Sequence, residues 1–504
     1  MFDAMTEERW RPQPSVVAVC IAMAVVGLST TAVGVASRGI ADEVDVSLRA
    51  LSWIVGGFLV AAATFALLGG RLGDVIGRTR TFLLGTGVFA TGALVAALSP
   101  GPGVLIAARL VQGVGAALLL PASIEIVAAH PPAGGPGAGF RMRGMIYAVS
   151  FGIGPLVGGV LTDYVSWRAI FWLELALLAV SAALTFPLLR EPSDLPRPVT
   201  RDVAGAVLSS TVVLVFIGIA YGIDSWGWRA WPTLLSVVVL VALVLLLLRV
   251  EARAEDPMLH RALWRNRLVL GANVATIAAS IGMLGLIYFF GLFAQSAAGF
   301  DSPAAGVAVA LAPFALSIIL FARFSEYLAR HLGSWGPVLT GLGLAVVGFG
   351  WLSTTTAGTT EAQLIVPLAL CGIGAGIANG GLTGVAVLTE CGERLDEAAG
   401  MLSLSRFVGS ALAIAIGTST YLSVAAARLP IDPAAGTPSA DDVAVGGSAF
   451  RDAVAQLRQD LRAPFEAAAR TRTAEAFATT MRVAAVVLLV LTLLSVWLLR
   501  PSRR

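Results

Sequence analysis

The chain is 504 residues long, 57% hydrophobic and 13% charged, with a formal net charge of +3. Soluble domains carry about 25% charged residues, so most of this chain belongs in lipid. Its basic side chains are all arginine and sit in short stretches between apolar runs, which excludes the clustered basic face that nucleic acid requires.

Fourteen apolar runs lie near 15–37, 50–69, 81–99, 104–128, 143–163, 168–189, 203–223, 232–249, 268–297, 303–322, 335–354, 363–389, 398–422 and 478–499. Each is close to the roughly 20 residues that cross a bilayer core as a helix. The expected fold is an all-α polytopic membrane protein, with two six-helix bundles and a two-helix insert between them. The division expected is 1–189, 190–267 with its linkers, and 268–504 with a long external loop at 428–479. Residues 1–14 hold Glu7, Glu8, Arg9 and Arg11 ahead of the first run. That run is too long for a signal-peptide core and shows no clear cleavage site, so it reads as a retained helix.

Between the second and third runs lies the charged turn Gly69-Gly70-Arg71-Leu72-Gly73-Asp74-Val75-Ile76-Gly77-Arg78-Thr79-Arg80. Its glycines suit a tight turn and close helix approach, and its arginines hold it in the cytoplasm. Asp74 can pair with those arginines or face the positive end of a neighbouring helix. A weaker copy follows half a chain later, where Arg323, Glu326 and Arg330 stand in the register of Arg71, Asp74 and Arg78. An ordinary positive-inside loop would explain the arginines alone. The copy indicates an internal repeat, the way many transporters are built.

Arg109 stands well inside the fourth run. Such an arginine turns toward a cavity or a partner, or snorkels to the surface. Glu125, near the cytoplasmic end of the same run, is expected to pair with Arg78. The fifth run holds Gly152-Ile153-Gly154-Pro155-Leu156-Val157-Gly158-Gly159, where glycines permit close packing and Pro155 bends the helix. In the sixth, Glu174 lies about 9 Å beyond Arg168. A carboxyl enclosed there suits reversible protonation; equally, it can be a structural partner of Arg168 or of a backbone group. Gln112, Asn379 and Arg406 are the polar groups expected to face a central cavity that is otherwise apolar.

The arginines of the remaining loops set the orientation. Arg141 and Arg143, Arg190, Arg197 and Arg201, Arg249 to Arg267, and the tail Arg500, Arg503 and Arg504 mark the cytoplasmic side, while Ser99 to Gly103 has none. Both termini are then cytoplasmic. Trp226, Trp228 and Trp231 crowd the outer loop of the insert as interfacial anchors. In the second half Gly372-Ile373-Gly374-Ala375 repeats Gly113-Val114-Gly115-Ala116, but Leu368 stands where Arg109 does. Between Arg428 and Thr479 a Pro/Gly/Ser-rich stretch gives way to Ala-rich sequence carrying Arg458, Asp460, Arg462, Glu466 and Arg470. It reads as a loop followed by an amphipathic helix on the outer surface.

Neither an enzyme nor an ATP-driven pump is expected. His130, His260 and His331 fall in loops, no His-Glu-x-x-His is present, and a Walker loop needs a lysine. Cys20, Cys371 and Cys391 suggest neither a disulfide nor a metal site, and no cofactor is expected.

These motifs carry a resemblance. Gly70, Leu72, Asp74, Gly77 and Arg78 resemble the Gly-x-Leu-x-Asp-x-x-Gly-Arg loop between helices two and three of the major facilitator superfamily. Arg109-Leu110-Val111-Gln112-Gly113 resembles its fourth-helix motif, in which the arginine is associated with proton coupling. Gly154-Pro155-x-x-Gly158-Gly159 resembles its antiporter motif. With fourteen spans, Ser166-Trp167-Arg168, Asn266-Arg267 and Ser405-Arg406-x-x-Gly409, the chain is similar to the fourteen-helix drug:proton antiporter family over nearly its whole length.

The resemblance implies a monomer in the plasma (inner) membrane that exports small, largely apolar compounds in exchange for protons by alternating access. A lipid or metabolite exporter, or an uncoupled facilitator of the same fold, is the alternative. Arg109 and Glu174 would couple protons; Gly70, Asp74, Gly77, Arg78, Glu125, Glu326 and Arg330 would form the cytoplasmic gate. One departure stands out. The family's first helix carries Leu-Asp-x-Thr followed by Val-Asn-Val, and this chain has Leu28-Ser29-Thr30-Thr31-Ala32-Val33-Gly34-Val35. Ser29 can neither carry a proton at neutral pH nor pair with a cationic drug.

Overall fold

The computed structural model describes residues 14–44, 46–129, 136–187, 203–226, 230–254, 263, 265–333, 335–382, 395–425 and 437–500. Among the described residues all regular structure is helical. An apolar chain in lipid must satisfy its backbone within each segment, which helices do. Thirteen helical stretches are long and apolar enough to cross a membrane. They fall on thirteen of the fourteen runs, and the fifth run is a 29-residue helix, Pro136–Tyr164.

The first half comprises α1 (Pro14–Val35), α2 (Ser37–Val44), α3 (Leu48–Ile76), α4 (Arg78–Ala97), α5 (Pro102–Ala129), α6 (Pro136–Tyr164) and α7 (Arg168–Thr185). The insert is α8 (Val203–Trp226) and α9 (Trp231–Glu251). The second half holds α10 (Arg267–Gln295), α11 (Ala304–Ala310), α12 (Ala312–Phe321), α13 (Phe324–Leu332), α14 (Trp335–Leu352), α15 (Glu361–Leu382) and α16 (Leu395–Ala425). It closes with α17 (Ala440–Val445), α18 (Ser448–Gln456) and α19 (Gln459–Leu499).

Helices α3 and α4 pack on α5, and α1 packs on α6 and α7; in the second half α12 and α14 pack on α15, and α16 and α19 on α10. The halves meet where α3 lies on α16, α6 on α11 and α12, and α1 on α10. Helix α8 leans on α3 and α16, while α9 presents most of its surface outward. Trp226 and Trp231 are exposed at the turn between them, and Trp228 lies outside the described residues.

The internal repeat has a packing counterpart. A side chain at Gly113 of α5 would collide with the Phe58 backbone of α3, and one at Gly372 of α15 with the Phe314 backbone of α12. Gly115 likewise abuts Phe89 of α4, and Gly374 abuts Gly341 and Ala345 of α14. Small residues at these points let helices approach by backbone contact, the main attraction between helices in lipid.

Two expectations change. The charged turn is shorter than its composition suggests, because α3 runs on through Gly69–Ile76 and breaks only at Gly77, whose φ of 96° suits a residue without Cβ. The outer amphipathic helix is not a separate element. Residues 459–477 are the first turns of α19, a continuous 41-residue helix about 60 Å long that carries on as the last span.

The end of the molecule away from Gly77 is clamped. Arg38 pairs with Asp301 at 2.8 Å and donates to the Gln295 carbonyl, joining the halves. Arg451 of α18 reaches Asp301 at 3.5 Å and Asp42 at 3.9 Å, and the Ser448 amide donates to Asp42 Oδ1 at 2.6 Å. The Ala305 amide donates to Asp163 Oδ2 at 2.7 Å. Asp301 sits at φ 50°, the one positive φ among the described non-glycine residues. Val443, Phe450, Val454, Leu457, Phe465 and Ala469 form a small apolar core beneath Ala298 that seats this clamp.

Candidate functional site

Arg109 and Gln112 stand on one face of α5, since residues three apart on a helix are neighbours. Arg109 has no exposed surface. Its Nε donates to the Ile54 carbonyl of α3 at 3.0 Å. Its Nη1 donates to Ser29 Oγ and to Gln112 Oε1, both at 2.8 Å, and Nη2 to the Ser29 carbonyl at 3.2 Å. The guanidinium lies 4.5 Å from the Phe58 ring centroid, which adds a cation–π contact. The arginine therefore faces partners, and the surface-snorkelling alternative is set aside.

Glu174 of α7 is equally buried. Gln112 Nε2 donates to its Oε2 at 2.7 Å. Gln112 thus turns its oxygen to the cation and its amide to the carboxylate, a single orientation that satisfies both. Arg109 and Glu174 form no direct ion pair; they act on each other electrostatically through this bridge. Glu174 Oε1 is buried without a hydrogen-bond partner among the described residues.

Ser29 occupies the place where the resemblance leads one to expect an acid; its Oγ accepts from Arg109, and its hydroxyl also acts on Glu174. The carboxylate of this site stands on α7 and is joined to the arginine by Gln112. Arg168 is not its partner. Arg168 pairs with Glu43 and donates to the Ser99 carbonyl at 2.9 Å, while Trp167 Nε1 donates to Glu43 at 2.6 Å.

The other expected residues are placed as follows. Gly154 and Gly158 of α6 abut Thr31 and Ala32 of α1, whereas Gly159 abuts Ala304 of α11 across the halves. Pro155 lies inside α6. Near the α3–α4 break a Cβ at Gly70 would make only ordinary contact with Pro121, and it is Gly69 whose Cβ would strike the Ala117 carbonyl. Arg78 is half-buried; the side chains of Asp74 and Glu125 lie outside the described residues. Glu326 and Arg330 pair with each other at 3.7 Å on an exposed face of α13. A bridge from that pair to another element is not formed among the described residues.

Asn379 is half-buried, donating to the Ala375 carbonyl at 3.0 Å with Met283 Sδ also at 3.0 Å. Arg406 is half-buried over Tyr147. Beside it, Phe407 meets Phe58 edge-on at 6.4 Å, so the ring under Arg109 touches the second half. The sequence alone leaves Arg143 among the loop arginines. Arg143 projects from α6 to α5, where its Nε donates to Ser123 Oγ at 2.7 Å. Its signal was its place at the very start of an apolar run.

Residues 19–417 match the family described as Major Facilitator Superfamily. The chain is 32% identical over 400 residues to a methylenomycin A resistance protein of Streptomyces coelicolor, covering 77% of this chain and 81% of that protein. It is 27% identical to the tetracenomycin C resistance and export protein of Streptomyces glaucescens, covering 81% and 76%. It is 26% identical to the multidrug resistance protein Stp of Mycobacterium tuberculosis, covering 80% and 74%.

Proposed function

This chain belongs to the Major Facilitator Superfamily, and we propose that it exports small, largely apolar compounds in exchange for protons by alternating access. The observation that carries the reading is the buried Arg109–Gln112–Glu174 relay. A carrier that exchanges a proton for a substrate needs a titratable group whose charge biases two arrangements of its helices. Glu174 is that group. When it is charged, Gln112 is held between it and Arg109, and Arg109 in turn holds Ser29 of α1 and Ile54 of α3. Protonation removes the charge at the far end of this chain of contacts. The pull on α1 and α3 then changes where those helices meet α10 and α16 of the other half.

Residues 1–189 and 268–504 act as the two rocking bundles, with 190–267 as the insert. The arginines around Gly77 favour a cytoplasmic position for that end. The clamp at Arg38, Asp42, Asp301 and Arg451 then closes the outer side, and the segment around 437–458 lies outside. The resistance and export named for the relatives support drug-type cargo.

The test is export into everted vesicles with an imposed pH gradient, after a compound panel in a pump-deficient host, with and without a protonophore, has supplied a cargo. Glu174→Gln is expected to lose about tenfold or more of gradient-driven export while still binding cargo. Full gradient-driven export by Glu174→Gln would remove the residue from the mechanism.

A further inference from the structure

Arg143 and Arg406 come from opposite halves of the chain and act on each other in the neighbourhood of Tyr147. Arg143 stands one helical turn before Tyr147 on α6, and the Arg406 guanidinium lies 5.1 Å from the Tyr147 ring centroid. Both arginines are half-buried. Among the described residues Arg143 is held by neutral acceptors, Ser123 Oγ at 2.7 Å and the Leu120 carbonyl at 3.2 Å. The two guanidinium groups act on each other as like charges. Among the described residues neither is paired with a carboxylate.

Like charges drawn together out of water lose hydration and repel, so buried charges are ordinarily paired. Here the missing member is an anion. Guanidinium is the side chain best shaped for a planar carboxylate, which it can grip with two parallel hydrogen bonds. Aromatic rings lie nearby: Phe151 is 6.3 Å from Tyr147, and Phe407, next to Arg406 in the chain, is fully buried. We propose that Arg143 and Arg406 bind the carboxylate of an otherwise apolar substrate, so that the cargo of this carrier is an organic anion.

The rest of the site agrees. A cationic compound would need an accessible acid, and among the described side chains of the relay Ser29 is neutral. Glu174 is fully enclosed, with one oxygen already taken by Gln112. The arginine pair also has a suitable depth. Ser123 Oγ lies 3.6 Å from Met23 Sδ, and Met23 is about 9 Å along α1 from Ser29, toward the end that carries Gly77. The anion therefore meets the arginines before it reaches the relay. Because α6 and α16 each supply one guanidinium, a bound carboxylate loses half its grip when those helices part.

This inference rests on the exporter reading, but its test does not need a proton gradient. Purified full-length protein in detergent is titrated with dansyl-leucine, its methyl ester and dansylcadaverine, which share a fluorophore and are anionic, neutral and cationic. Naproxen and its methyl ester repeat the comparison on a second apolar body. Wild type is expected to bind each acid about tenfold or more tighter than its ester. Arg406→Gln, which removes no hydrogen bond of the fold, should weaken the acids about tenfold and leave the esters within about twofold, with Arg406→Lys recovering most of the loss.

Arg143→Gln should act alike, its thermal midpoint being read alongside because two internal hydrogen bonds are lost. Equal binding of acid and ester, absence of acid binding, or tighter binding of dansylcadaverine overturns the proposal. So does a parallel loss of acid and ester in Arg406→Gln, which would make Arg406 a packing residue. Displacement of bound dansyl-leucine by phosphatidylglycerol but not by naproxen would assign the pair to a lipid headgroup and overturn it too. A clear acid preference without gradient-driven export would refute proton exchange and leave the anion site standing.

Discussion

Ser29 Oγ accepts a hydrogen bond from Arg109 Nη1 at 2.8 Å, and the carboxylate of the same buried network stands elsewhere, on α7. The first helix therefore contributes a neutral anchor to the arginine, and the charge that balances it is carried at one remove.

That displacement is reversible by mutation. Ser29→Asp places a carboxylate directly against Arg109 and makes Glu174 dispensable. Gradient-driven export in vesicles should be lost in Glu174→Gln and recovered, to within about threefold of wild type, in the double variant Ser29→Asp with Glu174→Gln. Equal loss in the single and double variants would show that the position of the acid, and not its presence, is what coupling requires.

Gln112 is predicted to matter as a bridge more than as a packing group. Gln112→Leu keeps much of the volume but leaves a buried guanidinium and a buried carboxylate each short of a partner. A stability loss of about 1–3 kcal/mol is expected, together with loss of gradient-driven export. Thermal unfolding in detergent and vesicle export measure the two effects, and unchanged values in both would reduce the bridge to a bystander.

The clamp at the other end should act on accessibility and not on folding. Exposed ion pairs contribute about 0–1 kcal/mol each, so Arg451→Ala should shift the balance of closed and open forms only severalfold. A cysteine at Gly34, in a background without the three native cysteines, is then expected to react faster with an impermeant thiol reagent in Arg451→Ala. The same rate in both proteins would leave Arg451 without a part in closing that end.

Orientation is testable from the same segment. Gln456 is exposed on α18. A cysteine placed there should be labelled by an impermeant reagent in intact cells. Labelling only in everted vesicles would invert the whole topology.

Gly69 and Gly70 separate packing from motif. A methyl at Gly69 meets the Ala117 carbonyl of α5, while at Gly70 it meets Pro121 at an ordinary 3.9 Å. Gly69→Ala is expected to lower stability by about 1–3 kcal/mol, and Gly70→Ala by much less. The thermal midpoints of the two variants decide it.

By itself the sequence determined that this is a helical membrane protein, where its spans lie, that its halves repeat, and that Arg109, Glu125, Glu174 and Arg406 are charges set within its apolar runs. Those features are local: each is a run of apolar residues, a charge inside one, or glycines at fixed spacing. Which face of a helix meets which neighbour was not legible. In lipid both the outward and the packed faces are apolar, so the periodicity that marks a buried face in water is nearly absent. The tertiary structure alone decided that Ser29 meets Arg109, that Gln112 joins it to Glu174, and that Arg168 turns to Glu43 instead. It also decided that Arg143 and Arg406, far apart in the chain, act on each other in the neighbourhood of Tyr147. Each of these pairings depends on the rotation of one helix about its axis against another, which long-range packing sets and no local pattern encodes.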